Sequence, residues 1–198
     1  FFRTYSEHIM NKKMLKWLYL DFNSYFSTIE QQINPSIRNI PVAIVPSITD
    51  YTCAIAASYE AKKLGIKTGT MIFEAKKICP NLICIKADHE KYIEYHHKLI
   101  NEINRHIPIE SVCSIDEVAC KLTGKECKLQ IAVSIALSIK SSIRKNVGDY
   151  ISCSIGIATN KFLAKTASNL KKPNRKQTTN LILGYEPCSI RATLTCER

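Results

Sequence analysis

The sequence predicts an α+β fold, a mixed and largely antiparallel sheet with helices on one face. Three observations carry that expectation. Apolar runs of strand length recur, the clearest being Trp17-Leu18-Tyr19-Leu20-Asp21-Phe22 and residues 150–157. Between such runs lie longer stretches, 89–106 and 123–145, whose apolar residues return at helical spacing. Carboxylates also break into the strand runs at their ends, as Asp21 in the first and as Asp116-Glu117 between Val112-Cys113 and Val118-Ala119-Cys120.

Taken in order, residues 17–22 form the first strand. Asn23 caps a helix over about 23–32, which Pro35 stops. Val42-Ala43-Ile44-Val45, between Pro41 and Pro46, is a short buried strand, and 52–57 is another. Ser58 caps a short helix ending at Gly65, and Thr70 begins a second, halted before Pro80. A strand over 82–85 leads into the helix of 89–106, where Tyr92, His96, Leu99 and Ile103 share a face and Pro108 ends the run. Strands over 110–114 and 118–122 flank Asp116-Glu117. Thr123-Gly124-Lys125-Glu126 has capping-box spacing and opens a helix to about Lys145 that buries Leu129, Val133, Ala136 and Ile143. After the strand of 150–157, Asn160 caps a last helix to Leu170, closed by Pro173, and 181–183 fits one more short strand. With the insert of 35–87 set aside, the order is that of a ferredoxin-like sheet.

Composition bounds the function. The 198 residues suit one domain with a lobe. No apolar run approaches the roughly 20 residues of a membrane helix, and residues 1–13 lack the apolar centre of a signal peptide. That segment is expected to be a leader or disordered, with Met10 and Met14 as alternative starts. Twenty-eight basic against 17 acidic residues give a net charge of +11, which favours polyanions such as nucleic acid or nucleotides. The nine cysteines include no C-x-x-C pair and mostly lie in apolar runs. They read as small buried thiols of a reducing cytoplasm, neither a disulfide frame nor a zinc site. His89, His96 and His97 read as surface or half-buried side chains.

Three constellations carry chemistry. Buried carboxylates are costly unless paired or metal-bound, so Asp21, Asp116 and Glu117 at strand ends suggest a divalent-cation site of the kind used in phosphoryl transfer. Neighbours on one strand face opposite ways, so Asp116 and Glu117 can address one site only at a strand end or turn. The same pattern also fits a polar hairpin turn with Asp21 as a helix cap. Tyr59 and Lys62, one helical turn apart, present a hydroxyl and a cation suited to a triphosphate, or simply an exposed basic helix start. Residues 160–176 carry Lys161, Lys165, Lys171, Lys172, Arg175 and Lys176 without an acidic residue, which suits a DNA backbone or a triphosphate tail, or else a solvated helix face.

Together these segments resemble the Y-family (UmuC/DinB-type, translesion) DNA polymerases. Five blocks carry the likeness in order: Tyr19-Leu20-Asp21-Phe22-Asn23-Ser24-Tyr25-Phe26; Ala56-Ala57-Ser58-Tyr59-Glu60-Ala61-Lys62 with Glu74-Ala75-Lys76-Lys77-Ile78-Cys79-Pro80 behind it; Ser114-Ile115-Asp116-Glu117; the stretch Ser154-Ile155-Gly156-Ile157-Ala158-Thr159-Asn160-Lys161-Phe162-Leu163-Ala164-Lys165; and Lys171-Lys172-Pro173-Asn174. The resemblance implies a palm of residues 14–24 and 88–174, small inserted fingers of 25–87, a divergent or truncated tail of 175–198, and no thumb or little finger. It implies two Mg²⁺ ions held by Asp21, the Phe22 carbonyl, Asp116 and Glu117. Tyr59, Lys62 and Lys172 would then contact the dNTP triphosphate, Tyr25 would lie against the nucleotide, and Phe26 would gate the sugar. Lys161, Lys165 and Lys171 are the candidate DNA contacts. The implied activity is error-prone, template-directed transfer of dNMP to a primer 3′-hydroxyl in translesion repair, in the cytoplasm. Primer-template DNA and dNTP are the partners, with a sliding clamp or other repair proteins beyond them. A non-catalytic DNA- or partner-binding relative and a nucleotide cyclase-like palm enzyme are the alternatives. Lys62 stands where the family usually has Arg, which forfeits a bidentate phosphate fork. Asn23 replaces a common Asp, and Arg175 a usual Gly.

Overall fold

The first strand becomes the middle of the sheet because both of its faces find apolar cover. A computed structural model describes residues 14–170 and the backbone of 181–184 and 193–194. β1 (Trp17–Phe22) runs antiparallel to both β6 (Glu117–Lys121) and β7 (Cys153–Ala158). With β5 (Ile109–Val112), β8 (Leu181–Gly184) and β9 (Thr193–Leu194) they make a six-stranded sheet in the order β5-β6-β1-β7-β8-β9. The β7–β8 pair is parallel, so the sheet is mixed. α4 (His89–Asn104) precedes β5, and α5 (Leu129–Asn146) joins β6 to β7, which completes the ferredoxin-like order.

Strand alternation divides the contacts. Leu18, Leu20 and Phe22 meet Val118, Cys120, Ile155 and Ile157 in the main core, beneath Tyr92, Leu99 and Ile103 of α4 and Ala136, Ile139 and Ile143 of α5. Each fully buried Leu, Ile, Val or Phe among these stabilises the fold by about 1.5–3 kcal/mol. Tyr19, Ala119 and Ala158 turn to the other face and pack on Ala164 of α6 (Lys161–Leu170). Two helices therefore share one face as expected, and the last helix covers the other. Gly156 permits this close approach: a Cβ there would lie 2.0 Å from the Ala164 carbonyl oxygen and 2.6 Å from the Ser168 nitrogen.

The insert follows α1 (Tyr25–Ile33) and builds a second sheet, with β2 (Val42–Val45) between antiparallel β3 (Ala56–Ala57) and parallel β4 (Ile83–Lys86). Two short helices, α2 (Tyr59–Lys63) and α3 (Ile72–Ile78), pack beside it. β2 is buried on both sides. Val42 and Ile44 join the main core, whereas Ala43 and Val45 meet Ala57, Ala61, Ile66, Ile72 and Ala75 in a second cluster. The main core also takes in Tyr25, Ile29 and Ile37, so it reaches past residue 25 into the segment expected to be a separate lobe.

Several local expectations are corrected. The strand over 52–57 shrinks to Ala56–Ala57 plus a single bridge between Cys53 and Met71. The capping box Thr123–Glu126 forms, but it closes a 3-10 turn (Gly124–Cys127), because Lys128 is extended and α5 starts only after it. The buried stripe of α5 is therefore Ala132, Ala136, Ile139 and Ile143, with Leu129 and Val133 only partly covered. Cys113 is exposed rather than buried, and the cysteines of the described residues are all free thiols. Among the described residues no helix is long and apolar enough to cross a membrane.

Candidate active site

The site forms at the end of β1, where the sheet register brings separate carboxylates together. Asp21 is paired across the sheet with Glu117 of β6 on one side and with Ser154 of β7 on the other. Cross-strand partners of an antiparallel pair share a face, so Asp21 and Glu117 lie side by side. Asp116 sits in the bend just before β6, and its carbonyl accepts from the Phe22 N–H at 2.8 Å. The turn thus removes the constraint that would send Asp116 and Glu117 to opposite faces. Ser114 donates to Asp116 Oδ1 at 2.6 Å, and His96 Nδ1 lies 2.8 Å from the Ile115 carbonyl, so the turn is pinned at both ends.

Asp21 is buried, 3% exposed. Glu117 Oε2 accepts from the Tyr19 hydroxyl and from Lys165 Nζ, each at 2.8 Å. Burial and then the Glu117 contact hold the Tyr19 phenol well above its ordinary value, and the Glu117 hydrogen bond raises that of Lys165. Tyr19 was missed in the sequence, although the alternation that puts it on the Asp21 face was the available signal.

The insert supplies the opposite wall. Ser58 caps α2 by accepting from the Ala61 N–H, which orients Tyr59 and Lys62 on the first turns. The Tyr59 hydroxyl is buried without a hydrogen-bond partner among the described residues. Burial, then the charge of Asp21, push its phenol far up. A buried unsatisfied hydroxyl costs about 1–3 kcal/mol, which an acceptor oxygen of a ligand would relieve. Lys62 Nζ donates to Ser24 Oγ at 2.7 Å and lies 5.7 Å from the Tyr59 ring centre. Ser24 adopts a left-handed conformation, φ 48°, at the turn from β1 into α1, a feature no sequence signal announced.

Tyr25, expected against a nucleotide, is instead built into the core. It is buried and donates its hydroxyl to the Tyr92 carbonyl at 2.8 Å. Phe26 stays half-buried and stacks on Tyr92 with ring centres 4.5 Å apart and planes 22° from parallel. Tyr92 is fixed in turn by Glu30, which accepts from its hydroxyl at 3.0 Å and from Lys91 at 3.1 Å. Lys161 lies farther down β1, donating to Ser111 Oγ at 2.7 Å, with Trp17 5.9 Å away. Lys171 and Lys172 lie outside the described residues.

The donor set of Asp21, Asp116, Glu117 and the Phe22 carbonyl is all oxygen, the chemistry a hard divalent cation prefers. Among the described residues, however, no three His, Cys, Asp or Glu side chains form a group that could hold an ion as they stand. Asp116 already accepts from Ser114, and Glu117 from Tyr19 and Lys165.

Residues 20–169 match the family model described as the impB/mucB/samB family. The chain belongs to that family. It is 34% identical over 155 residues to a DNA polymerase IV of Alkaliphilus oremlandii, a match that spans 78% of this chain and 38% of the relative. The fold superimposes on DinB from Sulfolobus solfataricus with a TM-score of 0.76 at 29% identity, covering 85% of this chain and 48% of that one. A Y-family polymerase chimera of Dbh and Dpo4 gives 0.75 at 29% identity over 80% of this chain and 46% of the other. This impB/mucB/samB chain therefore spans less than half the length of each of these relatives.

Proposed function

We propose that the chain carries the palm and fingers of a Y-family DNA polymerase, joining dNMP to a primer 3′-hydroxyl. The observation that supports this most is the meeting, at one end of β1, of Asp21, Asp116 and Glu117 with Tyr59 and Lys62 from the insert. Asp21, Glu117, Asp116 and the Phe22 carbonyl would hold two Mg²⁺ ions. When bound, such ions lower the pKa of the 3′-hydroxyl and offset the charge that builds on pyrophosphate. Lys62 and the Tyr59 hydroxyl would orient the triphosphate from the insert, and Lys172 is a further candidate contact to it. Phe26, braced on Tyr92, would exclude a 2′-hydroxyl. On this reading residues 25–87 act as fingers, 14–24 and 88–174 as palm. Lys161, Lys165 and Lys171 would be the contacts to DNA phosphates. Lesion bypass, a cytoplasmic setting and contact with a sliding clamp are part of the same proposal.

The test is primer extension by the full chain with Mg²⁺, dNTPs and primed DNA, beside Asp116→Ala and Glu117→Ala. Extension abolished in both variants supports the proposal. Wild-type binding of dNTP with Mg²⁺ but no extension means a nucleotide-binding palm that lacks its DNA grip. Neither extension nor metal-dependent nucleotide binding removes the polymerase reading.

A further inference from the structure

Asp21 and Glu117 are directly opposed across β1 and β6, and like charges so opposed repel. Lys165 interacts with both. Lys165 Nζ lies 2.8 Å from Glu117 Oε2, and the charge of Asp21 also reaches it. The lysine is delivered from α6, which Gly156 seats tightly on β7, and its stem runs over Tyr19, with Nζ 5.6 Å from the ring centre. Its side chain is 47% exposed, so the ammonium has room to leave.

We propose that Lys165 is a built-in countercation for the Asp21–Glu117 pair, a positioning residue that holds the Glu117 carboxylate beside Asp21 until a divalent cation displaces the ammonium. Lys165 then sets how readily the site loads. The inference rests on the polymerase reading for the nature of the ion, but its test uses neither DNA nor nucleotide.

Binding of Mn²⁺ alone to the full chain, followed by the electron paramagnetic resonance of free Mn²⁺, compares wild type, Lys165→Met, Lys165→Arg and Lys165→Met/Glu117→Gln. Lys165→Met is expected to tighten Mn²⁺ binding by about three- to tenfold, since a competing charge at hydrogen-bond distance is gone. Lys165→Arg should restore the wild-type affinity, and Glu117→Gln should abolish the gain. Thermal melting in chelator should show Lys165→Met less stable than wild type, with the gap closing as Mn²⁺ is added. Unchanged or weaker Mn²⁺ binding by Lys165→Met, or no Mn²⁺ binding by either protein, overturns the proposal. Tighter Mn²⁺ binding by Lys165→Met, with neither primer extension nor metal-dependent nucleotide binding by wild type, would keep the countercation and remove the polymerase. Normal extension with no change in Mn²⁺ affinity would do the reverse.

Discussion

Gly156→Ala is the substitution whose cost follows most directly from the geometry. Replacing a strand glycine by alanine ordinarily gains about 0.5–1 kcal/mol, because glycine loses more backbone freedom on folding. Here the new Cβ would lie 2.0 Å from the Ala164 carbonyl oxygen, 2.6 Å from the Ser168 nitrogen and 3.0 Å from the Ala167 Cβ. Two of these are backbone atoms of α6, which no rotamer change can move. The helix must withdraw from β7 by about 1 Å, and overpacking of this kind costs about 1–3 kcal/mol or somewhat more. The steric cost outweighs the entropic gain, and a net loss of about 2 kcal/mol is expected. With a urea dependence of about 2 kcal/mol per molar, the unfolding midpoint of the full chain falls by about 1 M at unchanged slope. A midpoint that stays put or rises would refute the argument that the sheet face beneath α6 has no room for a methyl group.

Three further outcomes are expected. Ser58 accepts from the N–H groups of Ala61 and Val42 and donates to the Ile40 carbonyl, so Ser58→Ala should cost about 1–2 kcal/mol in a urea titration, more than an ordinary surface cap. The Ser142 hydroxyl, with Asn146 and Arg105 behind it, holds the Glu102 carboxyl below its ordinary 4.5 against the opposing effect of burial. A depressed carboxyl contributes stability above its unfolded value and loses it as pH falls through the folded one, so the melting temperature should drop more steeply below pH 4.5 in wild type than in Glu102→Gln. Phe26→Ala, which removes the ring stacked on Tyr92, should raise ribonucleotide against deoxyribonucleotide insertion by about tenfold or more in primer extension, while Tyr92→Phe, which keeps the stack, should change it less.

Much of the fold was legible because local chemistry and tertiary packing agree. The run 17–22 alternates so that Leu18, Leu20 and Phe22 share one face, and that face is the core. Asn160 was read as a cap, and its Oδ1 accepts from the Leu163 N–H at 2.8 Å. Legibility failed where a local signal had more than one use. Thr123 and Glu126 satisfy each other's backbone equally well in a single 3-10 turn as in a long helix. Tyr25 carries an aromatic signal that serves a core as well as a ligand, and only packing chose the core.

By itself the sequence determined which side chains carry charge and where most of the strands and helices form, since both are read from residue types and their spacing. It put Asp21 at a strand end, Asp116-Glu117 at a turn, and Tyr59 and Lys62 on one helical turn. Tertiary structure alone decided that these segments, up to 96 residues apart between Asp21 and Glu117, meet at one end of β1. It alone decided that α6 crosses the far face of the sheet and that Lys165 answers Glu117. The reason is physical: register across a sheet and the approach of a helix to it are set by non-local packing, here by the missing side chain of Gly156, which no periodicity along the chain encodes.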